Sequence, residues 1–162
     1  VEGVATAISG VSTLAGLATL LVAGGLAWRR HGGAAAPTLL RAGLLAVVCC
    51  LTILLENVIQ RPGPGPVPEW SYPSGHVTII TAVAFTALVT GATLARGARG
   101  WLWAVTVTAV TATIASRVLL GEHYLTDTLG ALLGTVGVGL VTATVLGLLP
   151  VAPARERVPV SS

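Results

Sequence analysis

The stretch Ser116 to Asp127, SRVLLGEHYLTD, sets Arg117, Glu122, His123 and Asp127 between two long apolar runs, in a chain of which only 9% is charged. Ionisable groups beside membrane-length apolar segments are costly unless they are paired or in water, and by default they mark a functional site. If the chain is helical from about His123, the carboxylate of Asp127 lies one turn further along the same face, where it could fix the imidazole. A ring fixed through one nitrogen keeps the other free to attack an electrophile or accept a proton. The plainer alternative is a helix end decorated with polar side chains.

A second group precedes another apolar run. In Pro73-Ser74-Gly75-His76, Ser74 is a suitable N-cap and Gly75 allows close approach to the amides of the first turn. Those free N–H groups and the helix dipole favour an anion, with His76 beside them as a donor. A third group, Glu56, Asn57, Gln60 and Arg61, closes the preceding run. Glu56 falls about one turn inside that helix end, either as partner to an arginine or as a carboxyl whose protonation state its depth leaves open.

The elements that must position these residues follow from composition. With 162 residues, 54% of them hydrophobic, and a mean hydropathy of +0.87, the chain is far from a soluble domain and points to an integral membrane protein. Five apolar runs can span a bilayer, at roughly 4–28, 38–60, 74–95, 100–120 and 123–149. They leave no room for a separate soluble domain, so the expected fold is a single all-α transmembrane domain, a bundle of about five helices. The first run is too long, and lacks the basic start and cleavage site, for a removable signal peptide. Between the second and third runs, RPGPGPVPEWSYP is a loop by its prolines and glycines, stiff enough to wall a site. Its Trp70 and Tyr72 suit interfacial anchors better than substrate contacts. Adjacent Cys49 and Cys50 diverge on a helix and suggest neither disulfide nor metal site. Gly130 and Gly134 form a small-xxx-small pair expected to pack inside the bundle.

All nine basic residues are arginines. Arg29, Arg30 and Arg41, Arg96 and Arg99, and Arg155 and Arg157 fall on one side of the expected bundle, leaving Arg61 and Arg117 on the other. The positive-inside rule puts the first set, and the C-terminus, in the cytoplasm. Arg61, His76, Arg117 and His123 then share the outer face. A net charge of +3 follows from this asymmetry and gives no reason to expect nucleic acid; oligomeric state is not legible.

Two histidines, two guanidinium groups, a helix N-terminus and a carboxylate are a logical set for a phosphate ester. Arginine forks bind phosphoryl oxygens, one imidazole attacks phosphorus and the other protonates the departing oxygen. The scheme calls for no metal and no cofactor.

PSGH at 73–76 and SR-x5-H-x3-D at 116–127 resemble the second and third signature motifs of the type-2 phosphatidic acid phosphatase family, which includes bacterial polyprenyl diphosphate phosphatases; the likeness covers roughly residues 40–145. The resemblance implies a membrane helix bundle, usually of six helices, with its site at the outer leaflet. The five spans drawn above are one N-terminal helix fewer. It also implies that His123 is the nucleophile and forms a phosphohistidine, that Asp127 orients it, and that His76 is the general acid. Arg117, Ser74 and Gly75 would hold the phosphoryl oxygens of a membrane lipid phosphate or diphosphate.

The first signature motif departs from the family, which has Lys, six residues, then Arg-Pro, often within RPRP. Aligning RPGP at 61–64 places Glu56 at the lysine and Gly63 at an arginine, while the alternative register places Leu54 at the lysine; of that motif's cations Arg61 alone remains, and Glu56 becomes a possible modulator. The expected function is metal-independent hydrolysis of a lipid phosphate, of the polyprenyl class, at the cell membrane. Two alternatives stay open: a lipid-phosphate-binding pseudoenzyme, and phosphate chemistry other than hydrolysis.

Overall fold

The computed structural model describes residues 2–64, 70–94 and 99–149. Arg96, Arg155 and Arg157, three of the arginines used for the sidedness above, and the middle of the proline-rich loop lie outside the described residues.

Among the described residues the fold is all-helical: α1 Glu2–His31, α2 Ala36–Cys50, α3 Glu56–Ile59, α4 Gly75–Leu94, α5 Arg99–Leu119 and α6 Leu125–Val145. Three stretches, Gly16–Ile59, Arg99–Leu119 and Leu125–Val145, are long and apolar enough to cross a membrane, and Gly75–Gly91 is a shorter apolar helix. The first stretch is not one rod. Gly32 takes φ +53, a left-handed conformation that glycine adopts without cost, and a 3-10 turn at Gly32–Ala35 leads into α2. The side chain of Leu39 on α2 lies beside Gly24 on α1, so the chain doubles back.

Helix α4 is the hub and packs against α1, α2, α5 and α6. It is apolar on every side, as a buried helix must be; Val77, Ile80, Ala82 and Ala87 are each at most 1% exposed. Leu45, Cys49, Ala82, Val89, Ala143 and Leu148 form a core cluster across α2, α4 and the end of α6. Cys49 is therefore a packing residue, and both cysteines are free thiols. The hydroxyls of Thr106 and Thr113 bond carbonyls four residues back on α5, which satisfies them where water is absent.

The expected helix over 38–60 is broken. Leu51–Leu55 tightens to a 3-10 turn before α3 resumes. Thr52 bonds the Cys49 carbonyl at 2.8 Å and Thr135 of α6 at 3.2 Å, and Ile53 sits where a Cβ on Gly75 would lie, 2.9 Å from its Cδ1. The turn thus fits Ile53 against the start of α4, and glycine at 75 is what leaves the space.

Candidate functional site

Four chain segments converge at one end of the bundle, and each is delivered by a local signal. Helix α5 stops because Gly121 adopts φ +68. The Gly121 N–H reaches the Val118 carbonyl at 3.0 Å and the Glu122 N–H reaches that of Arg117 at 3.3 Å, the paired bonds of a Schellman cap. This turn presents Glu122 and His123 just beyond the helix that carries Arg117. Helix α6 then begins at Leu125 with Tyr124 extended at its N-cap. Asp127, in its first turn, accepts the Tyr124 N–H at 3.0 Å, where the dipole also favours a carboxylate.

The loop from α3 to α4 is clasped at its neck. Ser71 N–H donates to the Arg61 carbonyl at 2.8 Å, and Pro62 and Trp70 form an antiparallel bridge. The ring of Tyr72 lies over Gly130 of α6. Gly134, the other member of the glycine pair, meets nothing within 4 Å of where a Cβ would be. Trp70 is exposed.

Each candidate residue has a defined place. His123 Nδ1 is 2.9 Å from the Ser71 carbonyl; a carbonyl only accepts, so Nδ1 carries the hydrogen, and in the neutral ring the lone pair is then on Nε2. Asp127 is 0% exposed. Its Oδ1 takes Arg61 Nη1 at 2.6 Å, and its Oδ2 takes the Ser71 hydroxyl at 2.9 Å. The anticipated direct bond between Asp127 and His123 is replaced by this two-step path through Ser71. The reason is the late start of α6: His123 lies before the N-cap, so the same-face spacing within a helix does not apply.

Arg61, expected among the phosphate-binding cations, donates from Nη1 to Asp127 and to Thr126, and its guanidinium lies 4.9 Å from the Tyr124 ring centre, within cation–π range. Arg117 is 6% exposed; its Nη1 pairs with Glu122, while its Nε is buried without a partner. Ser74 is fully buried. Its carbonyl accepts the Thr78 N–H at 2.9 Å as an N-cap carbonyl does, yet its hydroxyl has no partner. His76, in the first turn of α4, is exposed and lies within electrostatic reach of Arg117, Glu122 and His123. Glu56 is half-buried at the start of α3; the arginines it was expected to serve pair with Asp127 and Glu122 instead.

His76, Arg117, Glu122 and His123 therefore form one group, and Arg61, Ser71 and Asp127 form its support. Ser71 was missed by reasoning from side-chain types, because its contribution to His123 is a backbone carbonyl. Its position two residues before PSGH, in a stiff loop, was the available signal. Glu122 was legible only as one charge among four.

Chemically, the group offers a lone pair on Nε2, a neighbouring imidazole, and two buried polar atoms without partners, Arg117 Nε and Ser74 Oγ. The hydroxyls of Thr78, Thr81 and Thr86 along α4 lack partners as well, so it is the place of Arg117 Nε and Ser74 Oγ in the group with the histidines, more than the missing bonds, that fits anionic oxygens. The described residues contain no group of three or more His, Cys, Asp or Glu arranged to hold a metal.

Neither a curated protein nor a solved structure matches the chain. The profile of the PAP2 superfamily matches residues 38–148, well over half of the sequence and inclusive of every candidate residue. Members of that family are usually phosphatases acting on phosphate esters, which gives the general reaction class, and the apolar helices agree with a membrane protein. By the extent of that match and the motifs it contains, the chain belongs to the PAP2 superfamily.

Proposed function

We propose that the protein hydrolyses a lipid phosphate or diphosphate of the polyprenyl class, through a phosphohistidine on His123, at the outer face of the cell membrane, with its C-terminus in the cytoplasm. The observation that carries the reading is the bond of His123 Nδ1–H to the Ser71 carbonyl, which leaves the lone pair of the neutral ring on Nε2, with His76 within electrostatic reach of both His123 and Arg117.

In the first step Nε2 forms a bond to phosphorus while the bond to the leaving oxygen breaks, and His76 gives that oxygen its proton. In the second step His76 takes a proton from water, whose oxygen attacks phosphorus and breaks the N–P bond, releasing phosphate and restoring both imidazoles. Arg117, Ser74 and the Gly75 backbone receive the phosphoryl oxygens; the unpartnered Nε and hydroxyl support those roles. No step uses a metal ion.

A lipid tail has a place to lie. A cavity of about 730 Å³ between α4, α5 and α6 is lined by Phe85, Trp103, Val107, Ile114, Leu132 and Leu140 among others, a volume typical of small-molecule sites. It follows α5 from Arg99 to Ile114, about 22 Å at the helical rise, and ends one turn before Arg117.

One observation favours a second reading, binding without turnover. Arg61 is engaged by Asp127 and Arg117 by Glu122, and the first motif lacks the family's lysine. The deciding experiment is inorganic phosphate release by the purified protein in detergent and chelator. Polyprenyl diphosphate, polyprenyl monophosphate and phosphatidic acid are offered beside His123→Ala. Release that requires His123 supports hydrolysis, and release that survives His123→Ala rejects the mechanism. Binding without release from any of the three supports the second reading.

A further inference from the structure

We infer that Ser71 is the positioning residue of His123, with two atoms in separate tasks: its carbonyl fixes the imidazole tautomer, and its hydroxyl anchors that carbonyl to Asp127. The inference rests on His123 being the nucleophile of the proposed reaction.

His123 lies outside both α5 and α6, so neither helix backbone orients its ring, and the bond at Nδ1 must come from elsewhere. It comes from the Ser71 carbonyl at 2.9 Å. Ser71 is 2% exposed and is held at two further points. Its N–H donates to the Arg61 carbonyl at 2.8 Å. Its hydroxyl has two acceptors in reach, Asp127 Oδ2 at 2.9 Å and the Arg61 carbonyl at 3.4 Å, and the shorter contact to a charged acceptor takes the hydrogen. Asp127 is pinned in turn by Arg61 and the Tyr124 N–H.

The order of the chain is thus imidazole, carbonyl, hydroxyl, carboxylate. A carbonyl cannot donate, so the Nε2–H tautomer would leave Nδ1 facing Ser71 with two lone pairs opposed; the Nδ1–H form is selected. When Nε2 bonds phosphorus the ring becomes cationic, and the Nδ1–H bond to Ser71 becomes charge-assisted. No proton leaves Nδ1 in this step. Asp127 stabilises that charge from one residue away and fixes the geometry of the carbonyl.

Ser71→Ala keeps the carbonyl and removes the anchor. The expected result is a fall in kcat of about 10- to 100-fold, the usual effect of losing a group that orients a reacting ligand, with KM within about threefold because no phosphoryl contact is lost. Nitrogen NMR of the His123 ring supplies an independent readout. The wild-type protein should show the Nδ1–H tautomer, and Ser71→Ala a mixture of both. A kcat within twofold of wild type in a folded Ser71→Ala protein would overturn the inference. So would an Nε2–H tautomer in the wild-type protein, which can be read even if the variant does not fold. Absence of turnover by the wild-type protein on every lipid would strike at the proposed function, while the tautomer would still judge Ser71.

Discussion

Replacing Gly130 with alanine should injure catalysis from outside the reacting groups. A Cβ at Gly130 would lie 2.7 Å from the Tyr72 hydroxyl and 2.8 Å from its Cζ, with Cε2 closer still. The ring cannot remain where it is. Overpacking of this kind costs about 1–3 kcal/mol, and the strain has a defined outlet, because Tyr72 follows the residue whose carbonyl holds His123. A displacement of about 1 Å passed to Ser71 would lower kcat by up to about 100-fold. Gly134→Ala is the matched control one turn along α6. Nothing stands within 4 Å of its Cβ position, so stability should hold or rise by up to about 1 kcal/mol from helix propensity. The assay is thermal unfolding in detergent together with kcat and KM on the same preparations. Adding Tyr72→Ala to Gly130→Ala should recover stability lost to the clash, making the pair strongly non-additive. Wild-type stability and turnover in Gly130→Ala, or equal damage from Gly134→Ala, would show that the Tyr72 ring passes no strain to Ser71.

Arg61→Ala removes the cation from a fully buried carboxylate that keeps two other donors. Loss of one partner from a buried pair costs about 3–5 kcal/mol, and because the Arg61 side chain is 39% exposed, screening reduces this to about 1–3 kcal/mol, measurable by thermal unfolding. Glu122→Gln removes the anion that pairs with Arg117; if the substrate phosphoryl must displace Glu122, KM and the inhibition constant for inorganic phosphate both fall, whereas a rise in both would give Glu122 a supporting role. The pH dependence of kcat should be bell-shaped. Activity rises as His123 loses its proton and falls at higher pH as His76 loses the one it must donate, so a monotonic profile in a chemistry-limited reaction contradicts the two roles.

The apolar runs carried most of the fold. The expected 74–95, 100–120 and 123–149 differ from α4, α5 and α6 by a few residues at their ends, because uninterrupted apolar sequence has few other outcomes in a membrane. The break at Leu51–Leu55 was not legible, since it follows from Ile53 meeting Gly75 of another helix. In the site, PSGH and the SR-x5-H-x3-D spacing singled out the residues that the fold brings together. What spacing could not convey was the partner of each. Starting α6 at Leu125, two residues later than expected, places His123 before the N-cap, so Ser71 takes the bond assigned to Asp127 and leaves Asp127 to Arg61. Contacts made by backbone carbonyls, and ion pairs chosen by tertiary packing, leave little trace in residue types.

The proposed reaction puts a covalent phosphate on His123, and trapping that phosphate is its sharpest test. His76→Ala lacks the base for the second step, so with an aryl phosphate ester, whose leaving group needs no proton, the intermediate should accumulate. Acid quenching is avoided, since phosphohistidine is acid-labile, and the protein is digested under alkaline conditions for mass spectrometry. Phosphate is expected on the peptide carrying His123, localised to that residue and absent from His123→Ala. Phosphate on a different residue, or none in His76→Ala under conditions where the wild-type protein turns the ester over, would contradict it.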